Sequence, residues 1–221
     1  MRDQIERSGT PSTTNQSVCH MDEVVKQAMA KWPDVPHCYG WLGLDARGAW
    51  RMRDERAQAL NAAGDKIVHS ALMSFIIRNY THDDQGRWYF QNGPQRVYVN
   101  LEATPYIAHT DPAQGFLLHT GEPLMIIDDA WITESGELVL EGEDKVAQVD
   151  DRDMAECLAH LRLDDQAVSD EQLLAWLSQP ANAHHLSLNL ASRRVPVQRI
   201  ARSAIAQHFG FVQIPQPDAA S

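Results

Sequence analysis

One stretch, RWYFQNGPQRVYVNL at residues 87–101, decides the fold class. Apolar side chains occupy every second position on both sides of the turn-forming run Asn92-Gly93-Pro94; they are Trp88, Phe90, Val97, Val99 and Leu101. This period of two is typical of half-buried antiparallel strands, and proline confines the reversal to a short loop because it cannot donate to a ladder. The stretch therefore predicts a β-hairpin with one apolar and one polar face.

The polar face of this predicted hairpin carries two arginines and two tyrosines. They are Arg87 and Tyr89 on the first strand and Arg96 and Tyr98 on the second. Guanidinium groups bind carboxylates and phosphates through paired hydrogen bonds. The four side chains are therefore the predicted binding surface for a small anionic ligand or a protein partner. Exchanging both arginines for glutamine is expected to leave the stability nearly unchanged.

The segments that flank the hairpin predict an α+β protein. Apolar residues at helical spacing predict helices over residues 21–32 and 69–80, and two more that begin at Asp151 and Ser169. Phe75, in the second helix, is expected to pack on the apolar face of the hairpin. Shorter patterns predict another hairpin around residues 45–48, strands over 116–119, 124–127, 130–133, 137–140 and 185–191, and a short helix at VPVQRI, residues 195–200.

The order of these elements is not a regular βαβ alternation, so antiparallel sheets or a partial barrel with packed helices are predicted. The runs LDARGAWRM and DDQGRWYF both set an aspartate before a glycine-containing turn and an aromatic strand. Two related subdomains are therefore one form of the prediction. The predicted division is a disordered tail at 1–20, a helix-hairpin-helix-hairpin half at 21–110, a β-rich half with two helices at 111–215 and a tail at 216–221.

Composition and charge indicate a cytoplasmic protein that binds neither nucleic acid nor membrane. The 221 residues are 43% hydrophobic and carry a net charge of −11, with 15 Asp or Glu between Asp128 and Glu171. Such an acidic belt repels a phosphate backbone. The chain has no run of roughly 18 apolar residues that could span a bilayer, and no secretory signal. Its three cysteines, Cys19, Cys38 and Cys157, are expected to be free thiols.

The stretch from Lys66 to Ile107 combines a His-led helix, an Asp-x-x-Gly turn into an aromatic strand and a proline-centred reversal. In this order the chain resembles a proteobacterial domain-of-unknown-function family, the 1285 type. The matching positions are Ile67, His69, Leu72, Phe75, Gly86, Tyr89, Pro94, Glu102 and Pro105. VPVQRI and FGFV extend the likeness over most of residues 41–212, whereas Gln95 and Ala103 replace acidic residues of the family pattern. The resemblance implies an α+β fold with repeated strand-and-helix motifs, no established activity and a suggested role in signalling.

The candidate chemistry outside the hairpin rests on histidines and one glutamate. His69 begins a predicted helix whose amides can orient an anion, and Glu102 follows the hairpin, so both join the candidate ligand-binding residues. His109 and His119 are expected to face each other across neighbouring strands, where imidazoles can serve acid–base catalysis. A pocket that gathers these side chains would indicate a hydrolase-like enzyme. Because no nucleophile motif accompanies them, a non-enzymatic ligand-binding or protein-interaction module in signalling or regulation is the leading hypothesis.

No metal or cofactor is predicted. Cys19, His20, His37 and Cys38 are zinc-type residues, but adjacent ligands point in different directions and the spacing matches neither C-x2-C nor H-x3-H. Phosphate-binding and dinucleotide-binding glycine motifs are also missing from the sequence.

Overall fold

The computed structural model describes most of the chain, namely residue 27 and residues 30–31, 35–179, 184–190 and 193–218. The predicted tail at residues 1–20 lies outside this part of the chain. So do all but three residues of the helix predicted at 21–32.

Six strands form the first sheet: β1 (Cys38–Leu44), β2 (Trp50–Met52), β3 (Asp65–Lys66), β4 (Tyr80–His82), β5 (Trp88–Asn92) and β6 (Gln95–Leu101). Their order is β3-β2-β1-β6-β5-β4. The predicted hairpin is β5 and β6, with Tyr89 opposite Tyr98. The hairpin predicted around residues 45–48 is β1 and β2. Parallel pairing of β1 with β6 joins the two hairpins into one sheet.

Two short helices, α1 (Glu55–Ala59) and α2 (Ser70–Arg78), connect strands of this sheet. The second of them lies on the apolar face of the β5–β6 hairpin. Its Phe75 ring centroid is 5.9 Å from that of Phe90, and Ile76 belongs to the same buried cluster. The predicted packing of this helix on the hairpin is confirmed.

Nine strands form the second sheet: β7 (Tyr106–Asp111), β8 (Gly115–Leu118), β9 (Asp129–Ile132), β10 (Leu138–Gly142), β11 (Lys145–Val149), β12 (Leu161–Leu163), β13 (Gln166–Ala167), β14 (Leu186–Leu190) and β15 (Arg193–Arg199). Their order is β13-β12-β14-β15-β9-β10-β11-β7-β8. Most neighbours are antiparallel, but β7 pairs with β11 and β9 with β15 in parallel.

The helices that follow are α3 (Met154–Ala159), α4 (Asp170–Ser178) and α5 (Ile205–His208). The predicted capping box at the start of α4 is present, since Ser169 and Gln172 exchange side-chain and backbone hydrogen bonds. A 3₁₀ helix at Asp151–Asp153 precedes α3, and its cap is Asp150 rather than the predicted Asp151, since the Asp150 carboxylate accepts from the Arg152 amide. The predicted α+β class is confirmed, and one of the two sheets curls into a half-barrel.

The second sheet is buried on both faces. In β9, Ala130 and Ile132 face a cluster that includes Trp176 of α4. Trp131, between them, and Val139 of β10 belong to the cluster that contains the apolar side of the first sheet. The second sheet therefore lies between the first sheet and helices α3 and α4. Because this packing covers the apolar face of the first sheet, a binding site on this sheet would lie on its polar face, part of which is buried.

Two local predictions are wrong. The residues VPVQRI belong mainly to β15 and not to a helix, because Val195 and Val197 alternate into the core. Residues 124–127 form no strand, because Met125 and Ile126 are exposed in succession between two buried neighbours. Three strand pairs between sequence-distant segments run parallel, so the sheets are mixed, and the half-barrel matches the partial-barrel form of the prediction.

The two sheets do not divide the chain where the two halves are predicted to meet. The boundary after residue 110 falls inside β7, and the C-terminal segment returns to the first sheet. There the Val212 amide donates to the Gly86 carbonyl at 3.0 Å, and the Leu101 amide donates to the Gln213 carbonyl at 2.7 Å. The division into two domains stays a prediction.

Candidate functional site

The polar face of the first sheet carries two separate groups of charged side chains. One group, the Arg87 cluster, consists of Tyr39, Asp83, Arg87, Tyr89, Arg96, Tyr98 and Asp218. The other lines a cavity of about 410 Å³ beside the β1–β2 hairpin, the hairpin pocket, whose polar side chains include Asp45, Arg51, Arg53, Asn61, Asn100 and Glu102. Alternation along β6 puts Tyr98 and Asn100 on this same face; Tyr98 belongs to the first group and Asn100 to the second.

The same turn positions a carboxylate in each group. In residues 45–49 and 83–87, the glycine amide donates to the carbonyl of the leading aspartate at 3.0 Å. One oxygen of that aspartate accepts from the amides two and four residues further on. The other oxygen holds an arginine: Asp45 binds Arg51 at 2.7 Å and Asp83 binds Arg87 at 2.8 Å. The echo between LDARGAWRM and DDQGRWYF is therefore a shared turn.

The Arg87 guanidinium is enclosed by partners from its own chain. It bonds Asp83 at 2.8 Å and Asp218 at 2.7 Å, and it lies 5.2 Å from the centre of the Tyr98 ring. The Tyr98 hydroxyl donates to Asp83 at 3.1 Å, and Tyr39 stacks on Tyr98 at 4.5 Å. This guanidinium has two carboxylates and an aromatic face already in place.

The four residues predicted as a binding surface do converge, but three of them are buried. Arg87 is 9% exposed, Tyr89 6% and Tyr98 1%, while the Arg96 guanidinium lies 4.7 Å from the Tyr89 ring centre. The Asp83 turn and the C-terminal segment cover Arg87, which argues against the expectation that exchanging both arginines for glutamine leaves the stability nearly unchanged. The ligand-binding role of the four residues stays a prediction.

The ionisation of Asp83 follows from the same contacts. Burial raises the pKa of its carboxyl, but hydrogen bonds from the Arg87 side chain and from backbone amides outweigh burial. The net pKa of Asp83 therefore lies below its ordinary value. The cluster is a stable ion pair at neutral pH.

The Arg53 guanidinium, in the hairpin pocket, has a different environment. The residue is 8% exposed, and its side chain donates to the Ala62 carbonyl at 3.1 Å and to the Asn61 side chain at 3.2 Å. A third contact, to the Gly40 carbonyl, is 3.5 Å long. Within the described residues, no carboxylate lies within 4 Å of this guanidinium. Its positive charge is therefore buried without a negative partner.

The backbone around Arg53 is shaped to admit its side chain. Gly64 has a φ of +84°, and a Cβ there would lie 2.2 Å from the Met52 carbonyl oxygen and 2.9 Å from the Arg53 Cγ. Gly43 lines the pocket, and a Cβ there would meet the Arg53 Cδ at an ordinary 3.6 Å. Only glycine fits position 64 without strain, whereas position 43 has room for a small side chain.

Two acceptors border the same pocket. Glu102 is exposed, and one of its carboxylate oxygens accepts from the Ala46 amide at 3.1 Å. The Asn100 Oδ1 is buried and has no hydrogen-bond partner within the part of the chain that the structure describes. Of the six predicted ligand-binding residues, only Glu102 lines the pocket.

The predicted histidines do not assemble with Glu102. His69 caps α2, where its Nδ1 accepts from the Leu72 amide at 3.2 Å, and neither His109 nor His119 lines the hairpin pocket. His109 pairs with Leu117 across the strands, so it is not directly opposite His119, although, after burial, its proximity contributes to the lowered pKa of His119. Both nevertheless border the same turn, at Gly48.

The environments of these two histidines argue against a catalytic pair. His119 packs among the rings of Trp50, Tyr80 and Tyr106, and burial lowers its pKa to about 3. The His109 Nδ1 lies 3.3 Å from the buried Asp150 carboxylate. A neutral, enclosed His119 cannot exchange protons with a substrate near neutral pH.

Two further features concern metals and membranes. Among the described residues, no three His, Cys, Asp or Glu side chains are grouped so that they could hold a metal ion. Over the same part of the chain, no helix is both long enough and apolar enough to cross a membrane.

The fold and the pocket define a two-sheet α+β protein with a polar cavity on its open sheet face. The chain belongs to the family described as protein of unknown function (DUF2946), whose model matches residues 21–216. Membership of an unknown-function domain family, which the sequence resemblance implied, is confirmed. No activity is established for it.

Two solved structures are similar to this chain, and both are named DUF1285 family proteins. The one from Silicibacter pomeroyi DSS-3 is 10% identical with a TM-score of 0.44, over 71% of this chain and 78% of that chain. The one from Shewanella baltica OS155 is 12% identical with a TM-score of 0.35, over 51% of this chain and 85% of that chain. No curated protein matches the chain at a significant level.

Arg53 and Asn100 are the site residues that sequence reasoning missed. A local signal was available, since Arg51 and Arg53 alternate with Trp50 and Met52 in the same way as the arginines of the β5–β6 hairpin. What the pattern does not contain is the parallel pairing of β1 with β6, which places Gly43 opposite Asn100.

Proposed function

We propose that the protein is a non-enzymatic module that binds a small anionic ligand in the hairpin pocket, with a role in signalling or regulation. The observation that carries the proposal is the buried Arg53 guanidinium without a carboxylate partner in the described chain. A buried charge that lacks a counter-charge costs several kcal/mol. A bound carboxylate or phosphate would supply the missing negative charge through paired hydrogen bonds.

The size and position of the pocket support the same proposal. A volume of about 410 Å³ falls in the range of small-molecule sites, roughly 300–1,000 Å³. The pocket lies on three hydrogen-bonded strands, so Arg53 is held by a rigid sheet and by Gly64 behind it. A site built in this way is preorganised, which favours binding.

The predicted surface on β5 and β6 has a different part in this proposal. Asp83 and Asp218 bind the Arg87 guanidinium, so we assign Arg87 to holding the C-terminal segment on the sheet. Tyr98, Tyr89 and Arg96 pack beside it. Glu102 alone is carried over from the predicted set into the binding site. The hydrolase-like alternative has no supporting geometry in the described residues, because His119 is enclosed and His69 serves as a helix cap.

A thermal-shift screen of the full chain tests the proposal. The probes are inorganic phosphate, small mono- and dicarboxylates and the common amino acids. At a hundred times its dissociation constant a ligand adds about 2.7 kcal/mol to the stability, which raises the melting temperature by roughly 5–10 °C for a chain of this size. We expect at least one probe to give such a shift in the parent protein and in Arg96→Gln.

Two variants remove the site in different ways. Arg53→Gln deletes the charge, and Gly43→Leu fills the cavity while both arginines remain. Both are expected to lose the ligand-induced shift, whereas Gly43→Ala, whose added Cβ meets only ordinary contacts, should keep it. The proposal fails if no probe stabilises the parent, or if the Arg53→Gln and Gly43→Leu proteins respond as the parent does.

A further inference from the structure

The hairpin pocket contains unpaired charges of both signs. Arg51 and Asp45 neutralise each other at 2.6 Å, which leaves Arg53 and Glu102 as the charged side chains without an opposite charge within 4 Å in the described chain. Glu102 receives only the Ala46 amide, through one of its two carboxylate oxygens. A simple anion would satisfy Arg53 and would be repelled by Glu102.

The strands place these two charges at the same pocket. The Arg53 stem crosses Gly43 of β1, and Gly43 lies opposite Asn100 of β6. Glu102 follows Asn100 by two residues, about 7 Å along an extended chain, and so points to the same side of it. Its amide donates to the Leu44 carbonyl at 3.0 Å, which keeps this part of the chain beside β1.

Asn100 lines the same pocket, and its Oδ1 is a buried acceptor for which the described residues supply no donor. Buried polar atoms are seldom left without a partner, so a donor from a water molecule or a ligand would satisfy this one. A ligand that carries N–H donors near Glu102 would remove this deficit. The pocket therefore has cationic character at Arg53 and acceptor character at Glu102 and Asn100.

We propose that the ligand is a zwitterion of the α-amino acid class, with its carboxylate on Arg53 and its ammonium group on Glu102. This inference rests on the proposed function, because it assigns a ligand class to the same pocket. It adds that the negative charge of Glu102 selects for a positively charged group on the ligand.

Isothermal titration of the full chain with each common L-α-amino acid tests this inference. The amino acid that binds most tightly is then compared with its N-acetyl form, which lacks the ammonium charge, and with its amide, which lacks the carboxylate. Charge-assisted hydrogen bonds make each loss worth about tenfold or more in affinity. We expect both derivatives to bind at least about tenfold more weakly than the unmodified amino acid.

The Glu102→Gln variant tests whether Glu102 is the protein group that binds the ammonium group of the ligand. The variant keeps an acceptor for the Ala46 amide and changes an exposed residue, so its melting temperature should match the parent's. It should bind the amino acid about tenfold more weakly but bind the N-acetyl form at least as tightly as the parent protein does, because the ammonium–carboxylate pair is already absent and the repulsion between Glu102 and this anion is removed. Asp84→Asn, which removes another exposed carboxylate of the first sheet, should leave both affinities unchanged.

The outcomes separate this inference from the proposed function. If phosphate or an ammonium-free carboxylate binds in an Arg53-dependent way and no amino acid does, the proposal of a zwitterionic ligand is wrong and the proposal of an anion-binding pocket is retained. Equal affinity for the amino acid and its N-acetyl form also overturns the zwitterion. If no probe of either kind binds, both proposals fall.

Discussion

Arg53 and Arg87 lie on the same polar face of one sheet, but only the Arg87 guanidinium has carboxylate partners. Both residues are nearly buried, at 8% and 9% exposure. Arg87 has two carboxylates within 2.8 Å, whereas Arg53 bonds only backbone carbonyls and an amide side chain. Burial alone therefore does not distinguish a structural arginine from a binding one. The distinction is whether the protein itself supplies the counter-charge.

The C-terminal segment accounts for much of this difference. It runs along the sheet at residues 212–213 and brings Asp218 to Arg87. At the hairpin pocket the same segment presents Gln213 and Ile214, which carry no charge. The segment thus completes one arginine site with a carboxylate and leaves the other open.

The largest expected effect that tests this comparison is the loss of stability in Arg87→Met. Removing one partner of a buried ion pair costs about 3–5 kcal/mol, and we expect the lower end because Tyr98 and two backbone amides still bind Asp83. Urea unfolding measures the change. Asp218→Asn should cost less than about 1 kcal/mol, since that carboxylate is exposed. An Arg87→Met protein as stable as the parent would show that the cluster holds nothing together.

A smaller effect is expected in the acid dependence of stability. The pKa of Asp83 is lower in the folded protein than in the unfolded chain, so its contribution is present above the unfolded value of about 3.9 and is lost as the pH falls through the folded value. The stability gap between the parent and Arg87→Met should therefore narrow below about pH 4. The gap between the parent and Arg53→Met should stay constant, because no described carboxylate binds Arg53. Parallel curves for Arg87→Met would contradict the ion-pair assignment.

The local contacts of Arg87 could be predicted from the sequence, whereas its long-range contact could not. Alternation in the β5–β6 hairpin predicts that Arg87 and Tyr98 share a face, and the Asp-x-x-Gly run predicts the turn that holds Asp83. The bond from Arg87 to Asp218 joins residues 131 positions apart, and the sequence pattern there predicts a loose tail. Contacts at such separations depend on how the whole chain packs, so no local periodicity encodes them.

The hairpin pocket illustrates the same limit. Each of its strands has a recognisable local pattern, but the cavity exists only because β1 pairs with β6 in parallel. Parallel pairing needs a long connection between the strands, here one that contains α1, α2 and four other strands. Glu102 was predicted as a ligand-binding residue, but the arginine near it in space is 49 positions earlier in the sequence and belongs to another hairpin.

The smallest expected effect, and the sharpest test of the comparison, is that of Arg53→Met on the ligand-free protein. The methionine stem can follow the path that Gly64 leaves open for Arg53. The variant loses hydrogen bonds to Ala62 and Asn61, but it also loses a buried charge that has no partner, and these terms oppose each other. We expect the free energy of unfolding to change by less than about 1 kcal/mol, at least 2 kcal/mol less than in Arg87→Met measured in the same buffer. A loss of stability as large as that of Arg87→Met would mean that Arg53 stabilises the fold. The observation that supports a binding site in the hairpin pocket would then be removed.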